Sequence, residues 1–187
     1  DGAPEWVTLD EGKPHTERAI WSDAYMLSEA VQTAFDNFWL NKPAPDGIGI
    51  QDHYAALWKH IAKRYANNTT VIGYDIMNEP FPGSTGSQST MVLLSAYGQL
   101  HYKLTGEVIS EEQLAQMWAD EKSRMEALNI LSNQENYHFV FSQLFELNQQ
   151  FEANHLQKMY QKVANEIRKV DANHILFLEH SYYSNTG

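Results

Sequence analysis

The chain has 187 residues, 43% hydrophobic and 20% charged, with a net charge of −11 and no cysteine. This composition suits a folded protein with a core of ordinary size, and the lack of cysteine excludes disulfides and thiolate metal sites while leaving the compartment open. The acidic balance argues against nucleic acid or an anionic membrane as a partner, and no apolar run reaches the roughly 18 residues of a membrane span.

In chain order, Ser22 is a fair N-cap for a first helix, along which Leu27, Ala30, Val31, Ala34, Phe35 and Phe38 recur at steps of three and four. The segment 41–47, Asn-Lys-Pro-Ala-Pro-Asp-Gly, breaks that pattern. A second helix follows with Tyr54, Leu57, Trp58, Ile61, Ala62 and Tyr65 on one face. Val71, Ile72, Tyr74, Ile76 and Met77 then predict a buried parallel strand. Pro80 cannot donate to a sheet ladder, so the strand ends there with Asn78 and Glu79 at its C-terminal edge. A carboxylate beside an amide at such an edge can protonate a glycosidic oxygen while the amide binds a neighbouring sugar hydroxyl. The plainer alternative is a strand and a turn, with Glu79 solvated.

Residues 83–89, Gly-Ser-Thr-Gly-Ser-Gln-Ser, read as a polar loop, either shaping a sugar subsite or merely mobile. Gly106 is placed to end a helix, and Ser110 to Gln113 fit a capping box opening a helix through Leu114, Met117, Trp118, Met125, Leu128 and Leu131. Phe139, Phe141, Phe145 and Phe151 suit helix core better than a hydrophobic floor for a lipid. Leu156, Met159, Tyr160, Val163, Ala164, Ile167 and Val170 form a regular amphipathic face, and a turn at 171–173 leads into a strand at 174–179 that ends on Glu179. The eight histidines show no zinc spacing, and no metal or organic cofactor is expected.

The run 71–83, Val-Ile-Gly-Tyr-Asp-Ile-Met-Asn-Glu-Pro-Phe-Pro-Gly, resembles the fourth barrel strand of the retaining glycoside hydrolases of family 5, the cellulase and endoglycoceramidase family. The opening 1–6, Asp-Gly-Ala-Pro-Glu-Trp, resembles the loop after strand three in the endoglycoceramidase-like branch. The resemblance implies an α/β chain forming part of a (β/α)8 TIM barrel around strands 4 and 5, with a mostly helical insertion. On that expectation residues 1–83 are a barrel segment carrying the acid/base strand, 84–150 the helical insertion over the catalytic face, and 151–187 a barrel helix and the following strand. A whole barrel takes about 250 residues, so the chain is expected to be an internal piece, its barrel completed by further sequence or another chain.

For the site, the resemblance implies Glu79 as general acid/base and Asn78 as the ligand of the sugar 2-hydroxyl. It implies Trp6 as a sugar platform, since Trp6 lies in the strand-three loop, and it favours a secreted location. The family nucleophile, a Glu at the end of strand seven, has no matching position. Glu179, at a strand end 100 positions beyond Glu79, is expected to bind substrate or support the site; a carboxyl about 5 Å from that of Glu79 would instead make it a nucleophile. Tyr182, with His180 and Tyr183, follows in a loop that can line the sugar site. The expected activity is retaining hydrolysis of a β-glucan or a glycosphingolipid. The alternatives are a non-catalytic carbohydrate-binding relic of the same fold and a helical interaction module.

Overall fold

The structure, a computed structural model, describes residues 3–16 and 23–186. Asp1, Gly2, Trp21 and Ser22 lie outside the described residues, so the expected cap at Ser22 does too. Glu5–Val7 form a 3-10 turn.

Two helices, α1 (Asp23–Leu27) and α2 (Glu29–Trp39), stand where one was expected. The break is Ser28, extended (φ −101°, ψ 118°) and fully buried. Its hydroxyl accepts from the Thr16 N–H at 3.3 Å and meets His15 Nδ1 at 3.1 Å. A serine that bonds the incoming chain offers the backbone an alternative to the helix ladder.

After the 41–49 turn, Asn41 Oδ1 accepts from Gln51 N at 2.9 Å, satisfying one of the orphan donors at the start of α3 (Ile50–Tyr65). The buried stripe of α3 is Gln51, Ala55 and Ala62, with Tyr54 and Trp58 packed partly into the core. Leu57 and Tyr65, expected on that face, are exposed. The stripe steps by four, three and four from Gln51 to Ala62, and Leu57 falls beside it.

Strand β1 (Gly73–Asp75) pairs in parallel with β2 (Ile175–Phe177), with Gly73 opposite Ile175, Tyr74 opposite Leu176 and Asp75 opposite Phe177. Both strands are shorter than expected, although Ile175 N to Ile72 O and Ile76 N to Phe177 O prolong the ladder at either end. Tyr74 and Ile76 are buried beneath the helices, whereas Ile72, Ile175 and Phe177 are 72%, 55% and 41% exposed. Helices therefore cover the Tyr74 face of this pair, and the other face, with Ile175, Phe177 and Asp75, is open.

Between the strands run α4 (Ser84–Thr105), α5 (Glu111–Ala119), α6 (Glu121–Leu131), α7 (Gln134–Phe141) and a 3-10 turn at Ser142–Leu144. Next come α8 (Phe145–Phe151), a π-helical turn (Glu152–Leu156) and α9 (Gln157–Arg168), without interruption. The residues read as a polar loop, 83–89, are instead the cap and first turns of α4. Asp36 Oδ1 accepts from Ser84 N at 2.9 Å, and Gly83 takes φ 65° where a Cβ would strike that carboxylate at 2.1 Å. That tertiary capture starts a helix which weak helix formers would not start alone.

Gly106 ends α4 in the left-handed region (φ 76°), its N–H donating to Tyr102 O at 2.8 Å. The capping box at Ser110 and Gln113 is formed, with bonds of 2.8 and 3.2 Å. The helix expected from there to Leu131 is split by Asp120, whose carboxylate caps α6 through Ser123 N at 2.8 Å. Ala96, Tyr97, Leu100, Leu114, Ala127, Leu131 and Val140 give α4–α7 their own core.

The main core joins α3 and α9 to the sheet through Trp39, Ala62, Tyr74, Ile76, Leu156, Met159, Val163 and Ile167. Met159, Val163 and Ile167 are fully buried, each contributing about 1.5–3 kcal/mol. Phe151 joins this core, Phe139 and Phe141 are partly buried elsewhere, and Phe145 is 68% exposed.

Candidate active site

Parallel pairing brings the chain out of β1 and β2 at the same end of the sheet, so residues 76–84 and 178–182 meet there. Side chains hold the first of these segments along its length. The Tyr54 hydroxyl, from α3, donates to Ile76 O, and Trp39 Nε1, from α2, donates to Phe81 O at 2.9 Å. Pro80 O accepts from Tyr182 N at 2.9 Å. Pro80 and Phe81 are buried, so the turn is pinned from below while Asn78 and Glu79 remain exposed above it.

Glu79 has φ 45°, a left-handed conformation that few non-glycine residues adopt. In that pose its N–H leaves the ladder and donates to Glu179 Oε2 at 2.7 Å. Glu179 is held in turn by Tyr160 on α9, whose hydroxyl donates to Glu179 O at 2.9 Å and accepts from Glu179 N at 3.2 Å. Desolvation of this buried phenol is the main cause that pushes its pKa up to about 12, so it stays a neutral donor.

Asp75, the last residue of β1, also reaches Glu179. Partial desolvation, then the charge of Glu179 and a hydrogen bond between the two side chains, raise the Asp75 pKa above the ordinary carboxylate value. On α1, burial and then the charge of Glu79 raise the pKa of Tyr25, which places the Glu79 carboxylate within electrostatic reach of that phenol. The Tyr25 ring lies 5.3 Å from those of Phe35 and Phe81.

Tyr182 is 39% exposed, with its ring 6.0 Å from Phe81 and 5.2 Å from Tyr183. Tyr183 is buried and donates to Gly86 O at 2.9 Å. Thus Asn78, Glu79, Glu179 and Tyr182 stand together at the strand ends. Trp6, 46% exposed, packs edge-on against His53 on α3 at 4.8 Å.

A cavity of about 530 Å³ lies beside Glu179, lined in part by Glu152, Leu156, Tyr160, Leu178 and His180. Glu152, on the π-helical turn, accepts from Ser181 N at 3.0 Å and stands 3.8 Å from His180 Nδ1. Among the described residues no group of three His, Asp or Glu side chains is placed to hold a metal ion.

Asp75, Tyr25, Tyr160 and Glu152 were not singled out from the sequence. Asp75 carried a signal, as the one charged residue in an otherwise apolar strand. Tyr160 carried a weaker one, a hydroxyl set in an aliphatic helix face.

The chain matches the family model described as cellulase (glycosyl hydrolase family 5) over residues 14–187. It belongs to that family. An endoglycoceramidase from Cyanea nozakii is 35% identical over 80 residues, which is 41% of this chain and 15% of the relative. An endoglycoceramidase from Hydra vulgaris is 29% identical over 133 residues, 59% of this chain and 25% of the relative. The chain therefore spans a quarter or less of these curated relatives.

Among solved structures, endo-glycoceramidase II from Rhodococcus sp. as a lactosyl-enzyme intermediate superposes with a TM-score of 0.54 at 26% identity, covering 94% of this chain and 26% of that one. The ganglioside GM3 complex of the same protein gives a TM-score of 0.54 at 26% identity, covering 94% and 25%. The family fold is a (β/α)8 barrel. The parallel β1–β2 pair, with α3 and α9 on its outer face, is part of such a barrel.

Proposed function

We propose that this chain carries the acid/base side of a retaining β-glycosidase site, with Glu79 as proton donor and Asn78 as the ligand of the sugar 2-hydroxyl. The observation that carries the reading is the locked turn at the end of β1. It leaves the adjacent polar residues Asn78 and Glu79 exposed to solvent at the sheet edge where barrel enzymes do their chemistry. Glu79 first protonates the departing oxygen and then deprotonates the water that resolves the covalent glycosyl-enzyme. A lactosyl-enzyme intermediate of the Rhodococcus neighbour supports retention.

The other carboxylates at these strand ends are Asp75, the last residue of β1, and Glu179, whose Oε2 accepts from the Glu79 amide. The nucleophile is therefore assigned to another strand of the barrel. No cofactor enters the proposed reaction.

The proposed substrate is a glycosphingolipid, on the support of the two endoglycoceramidase relatives and the ganglioside complex of the neighbour. The family description, cellulase, supports β-glucan as the second reading.

The test is Glu79→Gln in the protein that carries this chain. Substrates with poor leaving groups should lose most of their turnover, while those with very acidic leaving groups need little protonation and should lose far less. Equal loss on both types would count against Glu79 as the proton donor.

A further inference from the structure

The main chain of Glu79 is held in an unusual conformation, and its N–H meets a carboxylate whose own backbone is fixed. At a φ of 45° the Glu79 N–H donates to Glu179 Oε2, 2.7 Å distant. A non-glycine residue persists in that region only where its surroundings over-determine it. Here Tyr160 fixes the backbone of Glu179 by both its N–H and its carbonyl, from a helix whose neighbouring residues Met159 and Val163 are fully buried.

We infer that Glu179 is a brace that sets the main chain of Glu79, and so acts as a positioning residue for the acid/base. This rests on the reading of Glu79 as proton donor. The chain of support is linear: the α9 core holds Tyr160, Tyr160 holds the Glu179 backbone, and the Glu179 carboxylate holds the Glu79 amide. Glu179 need not touch the substrate in this role.

The role has a signature that a merely structural one lacks. If the brace acts through Glu79, its loss must reproduce the leaving-group dependence of losing Glu79 itself. In the protein that carries this chain, Glu179→Ala should lose about 10²-fold in kcat on glycosides with poor leaving groups, as a displaced catalytic group does. The same variant should lose little on activated aryl glycosides. Glu179→Gln, whose amide oxygen can accept from the Glu79 N–H where the carboxylate did, should recover much of what Glu179→Ala loses on the poor substrates. Equal loss on both substrate types, or no loss from Glu179→Ala, overturns the brace. Failure of the proton-donor reading is seen separately, as unselective loss in Glu79→Gln. If Glu79→Gln is selective and Glu179→Ala is not, only the brace is wrong.

Discussion

The main-chain N–H of Glu79 donates to Glu179 Oε2 at 2.7 Å, joining two strand ends that lie 100 residues apart in sequence. The bond exists because β1 and β2 are parallel neighbours: their exits emerge together, and the helical excursion between them returns the chain to the same edge. A buried tyrosine sets the far end of this contact, so the site is built on the core of α9 rather than on a free loop.

Tyr160→Phe tests that dependence. The substitution keeps the ring in its place and leaves the Glu179 N–H and carbonyl without their shared partner. A lost partner for a largely buried polar group costs about 1–3 kcal/mol. Calorimetry of the protein carrying this chain should show a lower Tm for the variant. An unchanged Tm would mean that water replaces the hydroxyl at no cost.

Asn78→Ala should lower kcat/KM by about 2–4 kcal/mol of transition-state binding, as removing other preorganised donors does. A 2-deoxy glycoside should suffer comparably with the unaltered enzyme. If Asn78→Ala and the parent discriminate equally against the 2-deoxy substrate, Asn78 does not serve the 2-hydroxyl.

Local signals in the sequence account for much of this fold. The face of α9, the capping box at Ser110, the stop at Gly106 and the parallel character of the two strands each follow from residues within a few positions of one another. What could not be read locally depends on partners far along the chain. Ser28 breaks a helix because Thr16 and His15 meet its hydroxyl, and residues 83–89 turn helical because Asp36 captures Ser84. The site divides in the same way. Asn78 and Glu79 were legible from one strand and its proline, whereas the placement of Glu179 on the Glu79 amide depends on strand pairing and on the left-handed φ of Glu79.

At the opposite end of the sheet, Asp171 is buried and accepts from the Tyr74 hydroxyl at 2.6 Å, from the amides of Asn173 and His174 at 2.9 and 3.2 Å, and from His174 Nδ1 at 2.6 Å. Burial opposes its charge, but these donors outweigh it and hold its pKa well below the usual carboxylate range. A depressed carboxyl stabilises the fold fully above its unfolded pKa of about 3.9 and loses that contribution as pH falls through the folded value. Stability should therefore fall with acidification below about pH 4, and Asp171→Asn should flatten that slope while lowering stability at neutral pH. Urea titrations at several pH values measure both. Parallel curves for the two proteins would remove Asp171 from the acid response.

The 187 residues on their own should not hydrolyse an activated aryl β-glucoside. Retention needs a carboxylate facing the sugar opposite Glu79. The candidate at the neighbouring strand end, Glu179, has Oε2 bound to the Glu79 amide. Bound in this way it is turned toward the protein main chain rather than toward a substrate. The two described strands also leave Ile175 and Phe177 exposed on their open face, so they do not by themselves enclose a sugar. The assay is direct: the purified 187-residue chain, its Glu179→Ala variant, and the chain supplemented with the remaining barrel strands of a family relative. No turnover by the chain alone and turnover on supplementation would place the nucleophile on another strand. Turnover by the chain alone that disappears in Glu179→Ala would make Glu179 the nucleophile and dissolve its role as a brace.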